Sequence, residues 1–216
     1  MDLSSTGPTH SKAEQRRCVR RTRAALSEYV QAERGAALAE VLTGEISPDS
    51  LVAAYFPMSG EPDVMPFLLA HIRRGGRVWL PVVADVAARR LQWAAWDPQT
   101  PMTRRTAMPL QEPAGPRKET AELLDHAPLA LLIPALAVDT AGARLGQGGG
   151  FYDTMFAQHR QLQQVQRLAV VHPEEILPAG SFPVEDHDLR TPAAATWEGI
   201  VPLDGSRCEA SARDSV

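Results

Sequence analysis

Cysteine is almost missing from this chain. The two that occur, Cys18 and Cys208, stand near opposite ends without metal-ligand spacing. That pattern argues against a disulfide framework and points to a reducing cytosol. No apolar run approaches the roughly 20 residues that a membrane-spanning helix needs. The opening residues, MDLSSTGPTHSK, lack the apolar core of a signal peptide. A cytoplasmic protein without a membrane partner is the expectation. A basic excess is missing as well. The formal net charge is −4, which does not suit a nucleic-acid binder. No internal repeat is evident, and no Ser-His-Asp or Cys-His nucleophile.

What remains is ordinary in composition and sufficient in length. The 216 residues, 44% hydrophobic, suffice for one α/β domain with a sizeable core and are too few for two comfortable ones. The expected organisation is a disordered N-terminus over 1–10, a single α/β domain over 11–203, and a polar, disordered tail over 204–216. Oligomerisation beyond a monomer or weak dimer is not expected.

One stretch organises the rest: LALLIPALAVDTAGARLGQGGGFYDTMF, Leu129 to Phe156. Leu129–Ile133 reads as a strand buried on both faces, closed by Pro134. A short apolar piece follows, then a turn at Gly142. Arg144-Leu145-Gly146-Gln147-Gly148-Gly149-Gly150-Phe151-Tyr152-Asp153 leads into a helical pattern. Strand, glycine loop and helix in that order make an anion cradle, because backbone N–H groups can approach phosphate oxygens closely. Four glycines in five positions are entropically costly unless something needs them. A flexible hairpin or packing turn is the bland reading. Against it, Arg144 and Asp153 flank the glycines with opposite charges, one suited to phosphate and the other to a metal. No Lys-Ser/Thr follows the last glycine, so this is no Walker loop. The glycine spacing does not give a dinucleotide fingerprint either.

Upstream, Ser11 and Glu14 predict a capping box and a helix from about Lys12. The helix carries Arg16, Arg17, Arg20, Arg21 and Arg23, with Val19, Leu26 and Val30 as its apolar stripe. Five arginines in eight positions are either a solvated face or a site for a polyanion; their mutual repulsion favours the second and their exposure the first. A second helix is expected over Glu33–Leu42, then strands at Leu51–Phe56, Arg77–Ala84, Leu91–Trp96 and Arg167–His172. Helices are expected over Val64–Arg74 and Tyr152–Gln164, an extended connection over Asp97–Arg117, and an edge strand at Thr196–Pro202. Trp79, Trp93 and Trp96 read as core or cleft lining. His172 reads as a hydrogen-bonded strand end. Strands and helices alternate, so a mostly parallel central sheet between helical layers, three-layer α/β/α and Rossmann-like, is the economical architecture.

Four segments in order resemble the 5-formyltetrahydrofolate cyclo-ligase family. Arg144-Leu145-Gly146-x-Gly148-x-Gly150-Phe151-Tyr152-Asp153 is similar to its R-L-G-x-G-x-G-[FY]-Y-D signature at every fixed position. Pro134–Asp139 resembles the lead-in strand, Tyr55–Asp63 the substrate loop, and Pro183–Asp188 the late acidic loop. The resemblance implies a fold shared with sugar-phosphate isomerases and CoA transferases. It implies ATP- and Mg2+-dependent conversion of 5-formyltetrahydrofolate to 5,10-methenyltetrahydrofolate. By the same resemblance Arg16, Arg20 and Arg144 to Tyr152 (Leu145, Gly146, Gln147, Gly148, Gly149, Gly150 and Phe151 included) would bind ATP, with Arg144 and Tyr152 catalytic. Phe56, Glu61 and Gln147 to Phe151 would face the folate, and Asp153 and Asp188 would bind magnesium. The chain departs from the family at Arg16, usually Lys, at Gln147, often Arg, and at Pro192, often an acid. Other readings on the same residues are a different ATP-dependent or phosphosugar enzyme, a folate-binding protein without turnover, and nucleic-acid contact through the arginine helix.

Overall fold

The computed structural model describes residues 11–105, 110–126 and 128–203. The expected disordered ends and Cys208 lie outside those residues. Helix α1 spans Lys12–Ala24 and opens on the predicted capping box, Ser11 with Glu14. It holds the whole arginine run but ends sooner than the apolar stripe suggests. Ser27 caps a separate helix α2, Glu28–Glu45, by accepting from the Val30 N–H. Of the proposed stripe only Val19 is buried. Leu26 lies in the break, and Val30 belongs to the next helix. A serine oxygen offers the first turn of a new helix a better partner than the continuing backbone does.

Strand β1 (Leu51–Ala53), helix α3 (Met65–Arg73) and strands β2 (Arg77–Asp85) and β3 (Arg90–Trp96) follow as expected, within a few residues. The supposed extended connection instead holds an antiparallel pair, β4 (Met102–Arg104) and β5 (Gln111–Pro113), and a short β6 (Lys118–Glu119) follows it. Then come β7 (Leu129–Pro134), β8 (Ala137–Asp139), β9 (Arg144–Leu145), α4 (Phe151–Gln158) and β10 (Gln166–Val170). The chain ends with β11 (Ile176–Leu177), β12 (Ala193–Thr196) and β13 (Gly199–Pro202). The predicted helix over Tyr152–Gln164 stops at Gln158 and resumes as a 3-10 turn, Arg160–Gln164.

The main sheet runs β13-β12-β10-β7-β1-β2-β3-β6. Its centre, β12 to β2, is parallel, and the strands at both edges are antiparallel. β7 shows why three layers form. Ala130 and Leu132 pack toward α2 and α3, beside Leu38, Leu42, Phe67 and Leu68. Leu129, Leu131 and Ile133 pack toward α4, beside Met155 and Phe156. A strand covered on both faces needs apolar residues in succession, not in alternation. Trp79, Trp93 and Trp96 are core. The small sheet β11-β8-β9 forms outside the main one. α1 packs there, its Val19 against Leu136, Leu145 and Phe182. From β1 the chain moves outward to β2 and later returns to place β7 on the other side of β1. Loops beyond the carboxyl ends of β1 and β7 therefore flank the point where the strand order reverses, the usual position of a ligand cleft in such sheets.

Candidate active site

A cleft of about 610 Å³ opens at that point. The chain after β1 supplies Phe56 and Glu61, β7 ends at Pro134, and the glycine loop forms the rim. Every residue that the sequence placed in the site lines this cleft, Arg20 excepted. Arg20 stands behind the loop and steadies it, its guanidinium donating to Gln147 Oε1 at 2.8 Å and to the Gln147 carbonyl at 3.2 Å. Arg16 donates to the Gly146 carbonyl at 2.9 Å. Gln147 in turn donates to Glu61 Oε1 at 3.1 Å, and Glu61 Oε2 accepts from the Met58 N–H at 3.0 Å. A continuous chain of bonds thus joins α1, the glycine loop and the loop after β1.

Arg144 is buried, and its guanidinium donates to the Pro134 carbonyl at 3.0 Å and to both oxygens of Asp153 at 3.1 and 3.2 Å. Its Nε has no partner among the described residues. The guanidinium stands 5.6 Å from the ring centre of Tyr152. The Tyr152 hydroxyl is buried and likewise without a partner among the described residues. Burial pushes its pKa well up, with the Glu61 charge adding to the rise and Arg144 opposing it. The phenol therefore stays protonated near neutrality and is a hydrogen-bond donor, not a base. Gly148 (φ 105°) and Gly150 (φ 70°) occupy the left-handed region that bends the loop into α4.

Asp188 accepts from Lys12 Nζ at 2.6 Å and from the Glu185 N–H at 2.7 Å. Burial opposes its ionisation, but those two bonds win and hold its pKa below the usual value. Asp153 also accepts from the N–H of Leu189, the residue after Asp188, at 3.0 Å. One backbone bond therefore ties the two carboxylates to a common corner. Among the described residues no group of three or more acids, histidines or cysteines is gathered as a metal cage. Two carboxylates beside an anion cradle suit a hard divalent ion that keeps waters and shares substrate phosphates.

The arginine run divides by role. Arg23 is buried and ion-paired with Glu175, at 2.7 Å from both Nε and Nη2, and Nη2 also donates to the Ala135 carbonyl. It is structural and not a ligand group. Arg17 and Arg21 are exposed. His172 is buried away from the cleft, its backbone N–H donating to Glu175 Oε2 at 2.8 Å while its ring Nε2 has no partner among the described residues. Sequence reasoning missed Lys12, Arg89 and Glu112, all cleft-lining. Lys12 had a signal, since it continues the four-residue spacing of Arg16 and Arg20. Glu112 had none, because its partners, the Val83 N–H at 2.9 Å and Arg105 at 3.4 Å, are met only when β5 docks on β2.

A parallel-centred α/β sheet with a glycine-rich anion cradle at its reversal point defines a Rossmann-like α/β enzyme. The chain belongs to the 5-formyltetrahydrofolate cyclo-ligase family, whose sequence model matches residues 8–196. It is 36% identical over 197 residues to the 5-formyltetrahydrofolate cyclo-ligase of Mycolicibacterium smegmatis, covering 89% of this chain and 97% of that one. It is 31% identical to the Escherichia coli enzyme of the same name over 187 residues, covering 83% and 99%. The fold is similar to that of the 5,10-methenyltetrahydrofolate synthetase of Aquifex aeolicus. That likeness has a TM-score of 0.67 at 24% identity and covers 95% of this chain and 99% of that one. The synthetase from Mycoplasma pneumoniae gives 0.65 at 18% identity, covering 88% and 100%. Among the described residues no helix is long and apolar enough to cross a membrane.

Proposed function

We propose that this enzyme closes 5-formyltetrahydrofolate to 5,10-methenyltetrahydrofolate with ATP, releasing ADP and phosphate. The observation that carries the reading is the 3.1 Å bond from Gln147 to Glu61. It joins the loop that resembles the family's ATP signature to the loop that resembles its folate site, so both substrates would meet in one cleft.

A formamide oxygen leaves poorly. Transfer of the γ-phosphoryl group to it breaks the terminal P–O bond of ATP and forms an iminium phosphate. The neighbouring folate nitrogen attacks the same carbon and loses its proton, the C–O bond breaks, and phosphate departs with the methenyl bridge formed. Phosphoryl transfer needs mainly positioning and neutralised charge. The loop N–H groups and Arg16 cradle the phosphates, while the buried Arg144 holds Asp153 and adds its positive charge to the site. Tyr152 donates its hydroxyl and accepts no proton. Phe56 and Glu61 hold the pterin, and ring closure rests on proximity within one substrate. Asp153 and Asp188 would hold magnesium, which when bound neutralises phosphate charge.

The test is absorbance. Purified protein with 5-formyltetrahydrofolate and MgATP in mildly acidic buffer should grow the near-ultraviolet band of the methenyl product, and only with ATP present. A flat trace with ATP binding intact would favour another ATP-dependent enzyme. A flat trace with folate binding alone would favour a binding protein without turnover.

A further inference from the structure

Arg89 is the single non-glycine residue among those described that sits in the left-handed backbone region, at φ 52°. It closes the turn between β2 and β3, where its N–H donates to the Val86 carbonyl at 3.3 Å. A side chain with a Cβ pays for that conformation, and a glycine there would not. The guanidinium nevertheless reaches into the cleft and lies against the last glycine of the loop. A Cβ added to Gly150 would stand 3.1 Å from Arg89 Nη1. Among the described residues Lys12 is matched by Asp188, Arg144 by Asp153 and Arg105 by Glu112, whereas Arg89 makes no ion pair. The nearby wall, Val83 and Leu91, is apolar.

Arg16 is the counterpart across the loop. Its side chain lies beside Gly148, where an added Cβ would be 3.6 Å from Cζ, and its one bond goes to a neutral carbonyl. The glycine backbone therefore runs between two guanidinium groups that make no ion pair among the described residues. We infer that Arg89 is a further binding residue for the polyphosphate of the nucleotide, gripping it from the side opposite Arg16. The inference rests on the ATP-dependent reading of this cleft and adds a residue to it. Strain observed at a site is a reason to look for function there.

Binding of MgATP, of inorganic tripolyphosphate and of 5-formyltetrahydrofolate should be measured by calorimetry on the wild type, Arg89→Gly and Arg89→Lys. Arg89→Gly removes the cation and relieves the backbone, so its Tm should hold or rise. Its Kd should rise about tenfold for both MgATP and tripolyphosphate, the loss of one charged hydrogen bond. Folate affinity should not move, and Arg89→Lys should keep most of the phosphate affinity. A lower Tm with unchanged phosphate binding would overturn the inference in favour of a structural role. Weakened folate binding alone would assign Arg89 to a folate carboxylate and also overturn it. If the wild type binds neither MgATP nor tripolyphosphate, the proposed function fails and Arg89's role with it. Equal phosphate binding by wild type and variant removes Arg89 alone.

Discussion

Gln147 holds Arg20 with one end of its amide and Glu61 with the other. A neutral amide at this position bridges a cation and a carboxylate. Gln147→Leu should cut both bonds and raise KM for both substrates by about 10-fold, the worth of one hydrogen bond to a charged group. The residue is exposed, so thermal stability should not move. Gln147→Arg should keep or raise kcat/KM, since arginine can pair with Glu61; a collapse in steady-state assays would mean that the loop works differently here. Asp153 is the sharper case. Asp153→Asn retains acceptors for Arg144 and the Leu189 N–H but loses the charge a metal needs. Magnesium-dependent turnover should fall on the order of 100-fold, and Tm should fall as well, because the buried Arg144 loses its counter-charge. Near-normal turnover in a magnesium titration would take Asp153 out of the metal site.

Helix α1 belongs to the site only because its far end is anchored. Arg23 buries its charge against Glu175 and the Ala135 carbonyl, and its Cβ packs beside Gly60 of the loop after β1. Those contacts fix the roll of the helix, and the same roll aims Lys12 at Asp188 and Arg16 at Gly146. Removing one partner of such a pair leaves an unpaired buried charge. Arg23→Met should cost about 3–5 kcal/mol of unfolding free energy, read as a lower urea midpoint, and should raise KM for ATP. The double variant Arg23→Met/Glu175→Leu removes both charges and should regain most of the stability. If it does not, packing and not charge is what Arg23 contributes.

Across the whole molecule, acid sensitivity should come first from histidines outside the cleft. Burial lowers the pKa of His71, against the bond its Nε2 makes with the Ser50 carbonyl, and burial likewise lowers that of His172. A lowered pKa means that the unfolded chain takes up protons the native one refuses. Stability is therefore full above the unfolded value and falls as pH drops through about 6.5 toward the lowered native values. The urea midpoint should decline between pH 7.5 and 5.5. A His71→Gln/His172→Gln double variant, less stable at pH 7.5, should show a flatter profile. A wild-type midpoint constant over that window would refute the assignment.

Local chemistry made much of this protein readable in advance. The capping box at Ser11 and Glu14, the doubly apolar β7 and the glycine loop between Arg144 and Asp153 each act within a few neighbouring residues. Such short-range preferences are readable where they agree with the fold around them. The cleft's main residues were legible for the same reason, since the loop signature is contiguous. Long-range pairing was not legible. Nothing local separates Arg23, which pairs with Glu175, from Arg16, which reaches the loop, because the difference is 152 residues of chain away in one case and 130 in the other. β4 and β5 hid in a Pro- and Thr-rich connection because strands so short are stabilised by the sheet they dock on. Arg89 entered the site only when the β2–β3 turn came to rest against Gly150. Sequence determined which segments could cradle an anion, and tertiary structure decided which charges were left unbalanced to meet it, because ion pairing depends on distance in space and not along the chain.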